Sequence, residues 1–166
     1  MISNFKIKPD IIIVDDQQIF RQGLKAIINY ENIGSVVGEA GNGDELLALL
    51  ILLRPDIVLM DIKMPQMDGF EAIRRSLKIL PDLKIIVFSV YSDEMYSCEM
   101  KKMGAKGYMQ KSSNINELEH AIKIVMKGGE YFQKVSNQET NLKDKPKHTE
   151  SDNSMQRKRM LFFPWY

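Results

Sequence analysis

The chain has 166 residues, of which 44% are hydrophobic and 27% are charged, and its formal net charge at pH 7 is +1. This length accommodates one domain with a sizeable core plus a short extra segment, and the balanced charge excludes a polycation built to bind nucleic acid. No apolar run approaches the ~20 residues of a membrane-spanning helix, and no signal-peptide pattern is present. We therefore expect a cytoplasmic protein without a membrane segment, in which the single cysteine, Cys98, is a buried or half-buried packing residue.

Short apolar strands alternate with longer helical patterns along the first 132 residues. The predicted elements, in chain order, are strand 11–14, helix 17–30, strand 36–40, helix 42–53, strand 57–60, helix 70–79, strand 84–88, helix 93–103, strand 107–109 and helix 116–127. Each parallel crossover needs a helix, so this alternation predicts an α/β fold: a doubly wound, five-stranded parallel sheet with helices on both faces. Functional residues of such sheets gather beyond the carboxyl ends of the strands.

The periodic pattern stops near residue 133. Residues 133–166 are mostly polar, which predicts a domain over 1–132 followed by a disordered tail over 133–166. The tail ends in an apolar, aromatic stretch over 160–166, preceded by the basic cluster 157–159. Two interpretations of this end stay open: an unstructured terminus without a role, or a short docking peptide.

Three carboxylates lie at the ends of two predicted strands. Asp61 ends the apolar strand 57–60, and Asp15 and Asp16 end strand 11–14. Like charges brought this close raise one another's proton affinity unless a cation lies between them, and Mg²⁺ suits a site with few protein ligands and several waters. We expect Asp16 and Asp61 as direct ligands, the backbone carbonyl of Lys63 as a third ligand, and Asp15 as a ligand through water.

Two further strand ends complete a candidate site. Ser89 ends the fourth strand and can hydrogen-bond an anion, and Lys111 follows the fifth strand and can hold an anion as a point charge. Alone, each residue has a commoner role: the aspartate pair as a helix cap, Ser89 as a turn residue, Lys111 as a surface lysine. Their placement at the ends of different strands instead favours an aspartyl nucleophile that takes up a phosphoryl group.

With these residues in place, the chain resembles the receiver domain of bacterial two-component response regulators over residues ~9 to ~131. The matching motifs are Val14-Asp15-Asp16, the stretch from Met60-Asp61 through Pro65 to Asp68-Gly69, Ser89, Gly104-Ala105, Gly107-Tyr108 and Lys111. The resemblance implies a CheY-like, flavodoxin-like fold with strand order 2-1-3-4-5. It also implies a Mg²⁺-dependent reaction in which a phosphohistidine on a sensor histidine kinase is the donor.

The same resemblance assigns a role to each site residue. Asp61 is implied as the phosphoacceptor, Asp15 and Asp16 as the acidic pair, and Lys111 as the family's lysine. Ser89 is implied as the switch hydroxyl, whose movement toward the phosphoryl group frees space for Tyr108. Such a domain controls a downstream partner and dephosphorylates itself slowly, so we do not expect a turnover enzyme. A homodimer through the face of the fourth helix, fifth strand and last helix is a candidate assembly.

The motif over 20–24 and the ending over 127–132 resemble the subgroup whose receivers precede a LuxR/NarL-type helix-turn-helix domain. Such a domain needs further helical patterns, whereas only the polar tail follows here, so direct DNA binding is not predicted. The chain is expected to be either a stand-alone receiver or a truncated DNA-binding transcriptional regulator. A third alternative, a Mg²⁺-dependent phosphohydrolase, needs a general acid two residues after the nucleophile, where this chain has Lys63.

Three residues depart from the commonest receiver pattern. Ser112 follows Lys111 where many receivers have a cis proline, and Val90 with Tyr91 follows Ser89 where the family usually has a small residue. Bulk at Val90 and Tyr91 is expected to limit access to the site. We therefore predict slower hydrolysis of the phosphoryl group than small residues would allow.

Overall fold

The structure, a computed structural model, describes residues 8–90 and 94–133. Its elements are β1 Asp10–Val14, α1 Gln18–Tyr30, β2 Ser35–Ala40, α2 Gly43–Leu52, β3 Ile57–Asp61, α3 Gly69–Ile79, β4 Lys84–Ser89, α4 Glu94–Lys102, β5 Gly107–Gln110, α5 Ile115–Met126 and β6 Tyr131–Phe132. Tyr91 and the predicted tail beyond residue 133, with its aromatic end, lie outside the described residues. All ten predicted strands and helices are present, with bounds shifted by one or two residues.

The strands form one sheet in the order β2-β1-β3-β4-β5-β6, and every neighbouring pair is parallel. The doubly wound parallel fold is therefore confirmed, with the predicted order 2-1-3-4-5 extended by a sixth strand. The strand β6 is not predicted from the sequence, because two residues are too few to show a strand period. It pairs with β5 through bonds from Tyr131 N to the Lys106 carbonyl and from Gln133 N to the Tyr108 carbonyl.

Two apolar cores lie on opposite faces of the sheet. Alternate strand residues such as Ile12, Val58 and Val87 pack with α2 and α3, whereas their neighbours pack with α1 and α5. β3 is buried at all five positions because helices cover both of its faces. The central strands are thus rigidly held, which fixes the position of the residues at their carboxyl ends.

The strand alternation continues into the polar residues at the carboxyl ends. Ile13, Leu59 and Met109 belong to the core beneath α1 and α5. Because side chains two positions apart share a face, Asp15, Asp61 and Lys111 are directed to that same side. The two-residue period of three separate strands thus brings three charged groups to one place.

Side-chain caps define the beginnings of three helices. Asn42, Asp68 and Asn114 each accept a hydrogen bond from the backbone N–H three residues later, at the starts of α2, α3 and α5. α1 differs, since its N-cap residue Gln17 makes no side-chain capping bond and its first turn has no acidic residue. The start of α1 is held instead by contacts with the aspartate loop, described below.

An ion pair and a ring contact hold the segment that leads into β6. The Lys101 ammonium lies 2.8 Å from a Glu130 carboxylate oxygen and 5.1 Å from the centre of the Phe132 ring. The hydrogen bond from Lys101 holds the pKa of Glu130 below its ordinary value. β6 thus covers the outer edge of β5.

Three apolar or sulfur-bearing side chains are exposed. Cys98 on α4 is exposed, so the prediction of a packing role is wrong. Ile19 and Ile27 of α1 are 87% and 45% exposed. Both isoleucines line a groove beside the site, which is described below. Within the described residues, no helix is long and apolar enough to cross a bilayer.

Candidate functional site

Asp61 ends β3 with a side chain that is almost completely buried. The residue is 6% exposed. Its Oδ1 accepts hydrogen bonds from the backbone N–H of Ile62 at 2.7 Å and of Lys63 at 3.3 Å, and its Oδ2 accepts one from Lys111 Nζ at 2.7 Å. Both carboxylate oxygens therefore have partners, which fixes the plane of the group at the rim of the sheet.

The loop after Asp61 is closed by a backbone contact that only glycine allows. Gly69 N donates to the Ile62 carbonyl at 2.8 Å. A Cβ at position 69 would lie 2.6 Å from Ile62 Cα, well inside ordinary contact distance. Gln66, at the turn of this loop, has a φ of 71°. The motif from Asp61 to Gly69 thus folds the chain back against the phosphoacceptor candidate.

Asp15 is 1% exposed and is held at each of its polar groups. Its N–H donates to the Ala40 carbonyl at 3.0 Å, and its Oδ1 accepts from Gln17 N at 2.9 Å. Its backbone carbonyl accepts a hydrogen bond from Arg21 Nη1. Its Oδ2 lies 2.6 Å from Lys111 Nζ, an ion pair without the alignment of a hydrogen bond. Burial raises the pKa of Asp15 above its ordinary value of 3.8, although Lys111 and the Gln17 N–H favour the ionised form.

Lys111 joins the two buried aspartates. Its Nζ lies 2.6 Å from Asp15 Oδ2 and 2.7 Å from Asp61 Oδ2. Burial disfavours the ammonium form, but the bonds and charges of both carboxylates outweigh burial and raise the pKa of Lys111 above 10.5. The ammonium also lies 4.7 Å from the centre of the Phe20 ring, within the range of a cation–π contact. Lys111 is therefore a fully charged group at neutral pH.

The acidic residues form a cluster suited to a hard divalent cation. Carboxylate oxygens of Asp15, Asp16 and Asp61 all lie within 4.8 Å of one another, and Asp16 is exposed to solvent. Lys111 neutralises one of the three negative charges, which leaves two for a cation to balance. Oxygen donors from carboxylates, with an open side where water completes the coordination, are the donor set that Mg²⁺ prefers. These residues fit Mg²⁺.

Ser89 and Tyr108 lie on the opposite face of the sheet from Lys111. Ser89 ends β4 and is 1% exposed; its carbonyl accepts from Lys111 N at 2.8 Å. Tyr108 is also 1% exposed and pairs in register with Val87, two residues before Ser89. Strand alternation thus places Ser89 and Tyr108 on one face. Tyr108 packs into the α2–α3 core.

Two of the remaining predicted residues are exposed and follow site residues in the chain. Val90 is 67% exposed and directly follows Ser89. Lys63 is also exposed, two residues after Asp61. Tyr91, the second predicted access residue, lies outside the described residues.

Two site residues were missed by the sequence analysis. Phe20 contacts the Lys111 ammonium, and Arg21 bonds the Asp15 carbonyl. Both belong to the motif over 20–24, which the sequence analysis used only to choose a subgroup. Their spacing from Asp15 would have been a usable indication: residues five and six positions later fall in the first turn of the following helix.

Beside the site, a groove of about 300 Å³ separates α1 from α5. Its lining includes Ile19, Phe20 and Gly23 from α1, and Ile115 from α5. Lys111 also lines the groove. A largely apolar surface thus adjoins the charged cluster.

Comparison with known proteins gives matches along most of the described region. The family model of the response regulator receiver domain matches residues 11–123. Transcriptional regulatory protein DegU of Brevibacillus brevis is 40% identical over 125 residues, which are 75% of this chain and 53% of that protein. The chain thus spans about half the length of this curated relative.

Two solved structures show the same architecture. A two-component response regulator of the LuxR family from Aurantimonas sp. SI85-9A1 is 31% identical with a TM-score of 0.71, covering 75% of this chain and 89% of that chain. A CheY-like response regulator receiver domain protein from Methanospirillum hungatei JF-1 is 29% identical with a TM-score of 0.66, covering 74% and 95%. The residues matched by the family model, 11–123, include the acidic cluster and Lys111.

Proposed function

This chain belongs to the response regulator receiver family, and on that premise we propose that Asp61 accepts a phosphoryl group in a Mg²⁺-dependent reaction. The observation that carries the proposal is the bridge of Lys111 between Asp15 and Asp61, at 2.6 and 2.7 Å, beside the exposed Asp16. This arrangement places a nucleophile, Asp61, beside a site for a cation and beside the fixed positive charge of Lys111. A purely structural ion pair would not need the third carboxylate, that of Asp16.

The chemistry of the transfer follows from these contacts. An oxygen of Asp61 attacks phosphorus, and the bond between phosphorus and the donor's leaving atom breaks. The Ile62 and Lys63 N–H groups orient the carboxylate for this attack, while Lys111 stabilises negative charge on the transferring oxygens. Asp15 and Asp16 supply carboxylate oxygens to the cation. When bound there, Mg²⁺ would offset the charge that develops on the phosphoryl oxygens.

The response to phosphorylation would pass through Ser89 and Tyr108. Phosphorylation adds roughly −1.5 to −2 charge and strong acceptor oxygens next to the end of β4. We propose that the Ser89 hydroxyl moves toward these oxygens, and that Tyr108, which shares its face of the sheet, shifts with it. The inward position expected of Tyr108 after this movement is the one it has in the structure, where it is 1% exposed. Gln133, which directly follows β6, donates its backbone N–H to the Tyr108 carbonyl. A shift of Tyr108 would therefore also move the neighbouring strand β6.

A sensor histidine kinase is the proposed donor, with the segment that bears its phosphohistidine against the groove between α1 and α5. The groove is lined by Lys111 and by the 87% exposed Ile19. We expect Ile19→Lys to slow transfer from the kinase and to leave uptake from a small donor unchanged. Unchanged transfer from the kinase would place the docking surface elsewhere.

Control of transcription is the proposed downstream output, because the relative that matches over 75% of this chain is named a transcriptional regulatory protein. The match covers the receiver residues of this chain. We therefore propose that the switch controls transcription, and we assign no DNA contacts to this chain. Transcript levels would be compared between cells carrying the wild type and cells carrying Asp61→Asn, which cannot take up the phosphoryl group. Identical transcript profiles would contradict a transcriptional output.

The central test is intact-mass measurement after incubation with Mg²⁺ and phosphoramidate. We expect one phosphoryl group on the wild type, none on Asp61→Asn, and one on Asp68→Asn. Asp68 is a matched control because it is an exposed aspartate of the same loop whose capping role asparagine retains. An adduct on Asp61→Asn, or no adduct on wild type with saturating Mg²⁺, would refute the assignment.

A further inference from the structure

Arg21, a residue of the motif over 20–24, contacts the acidic cluster, and the proposed phosphoryl transfer gives it no role. Arg21 lies in the first turn of α1, and its Nη1 donates a hydrogen bond to the backbone carbonyl of Asp15. That carbonyl belongs to the peptide unit joining Asp15 to Asp16. The direction of this peptide plane determines where Asp16, the exposed member of the cluster, stands relative to Asp61.

We propose that Arg21 is a positioning residue, which orients the Asp15–Asp16 peptide so that the acidic cluster binds Mg²⁺. The inference rests on the proposed function, since it concerns the same cation site. Arg21 itself does not touch the carboxylate oxygens that would bind the ion. It acts through the backbone carbonyl of Asp15.

The surroundings of Arg21 hold its guanidinium in this position. Its side chain is 17% exposed, and Nε lies 3.9 Å from a Glu39 oxygen on β2, which is too far for a hydrogen bond. Glu39 is bonded instead to Lys25 at 2.7 Å. A Cβ added at Gly41 would lie 3.7 Å from Arg21 Nη1. The guanidinium is therefore enclosed by α1, β2 and the β2–α2 loop, with its shortest bond to Asp15.

The absence of a side-chain cap on α1 strengthens the argument. Gln17 makes no capping bond, so the turn between β1 and α1 relies on the bond from Gln17 N to Asp15 Oδ1 and on Arg21. Without Arg21, the buried Asp15 carbonyl loses its donor and the loop can rotate toward water. The aspartate carboxylates would then move apart, and Mg²⁺ would bind more weakly because part of its binding free energy would be used to bring them together again.

Electrostatics alone predicts the opposite sign. Arg21 carries a positive charge close to a site for a divalent cation, so its removal would strengthen Mg²⁺ binding if repulsion dominated. Positioning predicts weaker binding, because a bond from a charged donor to a buried carbonyl is lost. The direction of the change in Mg²⁺ affinity therefore separates the two effects.

The experiment measures Mg²⁺ binding by calorimetry, without a phosphoryl donor, for Arg21→Met, Arg21→Lys and Lys25→Met. We expect the dissociation constant of Arg21→Met to rise about ten-fold, the size expected for one lost charge-assisted bond. Arg21→Lys, which keeps a charged donor, should recover part of the loss. Lys25→Met, which breaks only the pair with Glu39, should bind like wild type.

Two further measurements accompany the calorimetry. Phosphoryl uptake by Arg21→Met should need more Mg²⁺ for half-maximal rate, and the rate should recover at high Mg²⁺. Thermal unfolding identifies a merely structural role, which would lower the melting temperature without changing Mg²⁺ affinity. That result, or tighter Mg²⁺ binding by Arg21→Met, would overturn the inference.

Failure of the proposed function gives a different result. If wild type binds Mg²⁺ but takes up no phosphoryl group, calorimetry still decides the role of Arg21. If wild type binds no Mg²⁺, the cation site itself is refuted, and the positioning role with it.

Discussion

Asp16→Asn is expected to stabilise the metal-free protein while removing its response to Mg²⁺. Asp16 lies in a cluster whose carboxylate oxygens are within 4.8 Å of one another. Lys111 neutralises one of the two neighbouring carboxylates, so Asp16 is repelled by about one net negative charge. At 4.8 Å and an effective dielectric constant of roughly 40, between the values for water and for a protein surface, that repulsion is about 1.7 kcal/mol. Asp16 also lies just before α1, where a negative charge favours the helix by roughly 0.3–1 kcal/mol. The net gain for Asp16→Asn is then about 1 kcal/mol.

The assay is thermal unfolding in EDTA and in excess Mg²⁺. A gain of about 1 kcal/mol corresponds to a rise of roughly 4 °C for a domain of this size in EDTA. Mg²⁺ should raise the melting temperature of wild type, since it binds only the folded state, and should raise that of Asp16→Asn much less. Asp44→Asn is the matched control, because it removes an exposed acid from the first turn of α2, away from the cluster.

The reasoning fails on either of two results. A lower melting temperature of Asp16→Asn in EDTA would show that the acids do not repel one another as their distances require. A full Mg²⁺ response in Asp16→Asn would show that the ion binds without this carboxylate. Asp44→Asn should keep the Mg²⁺ response and gain no stability in EDTA.

Three further predictions concern the loop, the access residue and an exposed ion pair. Gly69→Ala should destabilise the protein by about 1–3 kcal/mol in urea unfolding, because the added Cβ would meet the Ile62 backbone. Gly23→Ala, where α1 leaves open space for a Cβ, should stabilise the protein by about 1 kcal/mol. Equal effects of the two substitutions would contradict the contact between Gly69 and Ile62. Val90→Ala should shorten the lifetime of the aspartyl phosphate, and an unchanged or longer lifetime would reject the access role of Val90. Hydrogen bonds from Arg74 and Arg75 lower the pKa of Glu71 to about 2 from 4.5, so its stabilising effect is complete above pH 4.5 and is lost as the pH falls through about 2. The stability difference between wild type and Glu71→Gln should therefore shrink over that interval, and a difference that grows toward acid pH would reverse the sign.

Local sequence determined the order and type of the main elements and the positions of the acids. Apolar strand patterns ending in Asp15 and Asp61 can be recognised without coordinates, because a period of two and a polar residue at its end are local properties. The parallel arrangement follows from the alternation with helices. From these two facts the prediction that Asp15, Asp61 and Lys111 share one edge of a sheet could be made.

Tertiary structure decided which contacts those residues make. Lys111, which follows β5, pairs with the aspartates at the ends of β1 and β3, and Arg21 of α1 bonds the Asp15 carbonyl. The pairing of β6 with β5 and the exposure of Cys98 were likewise unpredictable, since each depends on what neighbouring elements leave uncovered. Periodicity along the chain predicts which face of a strand or helix a side chain lies on. The residues that the side chain contacts on that face belong to segments far away in sequence.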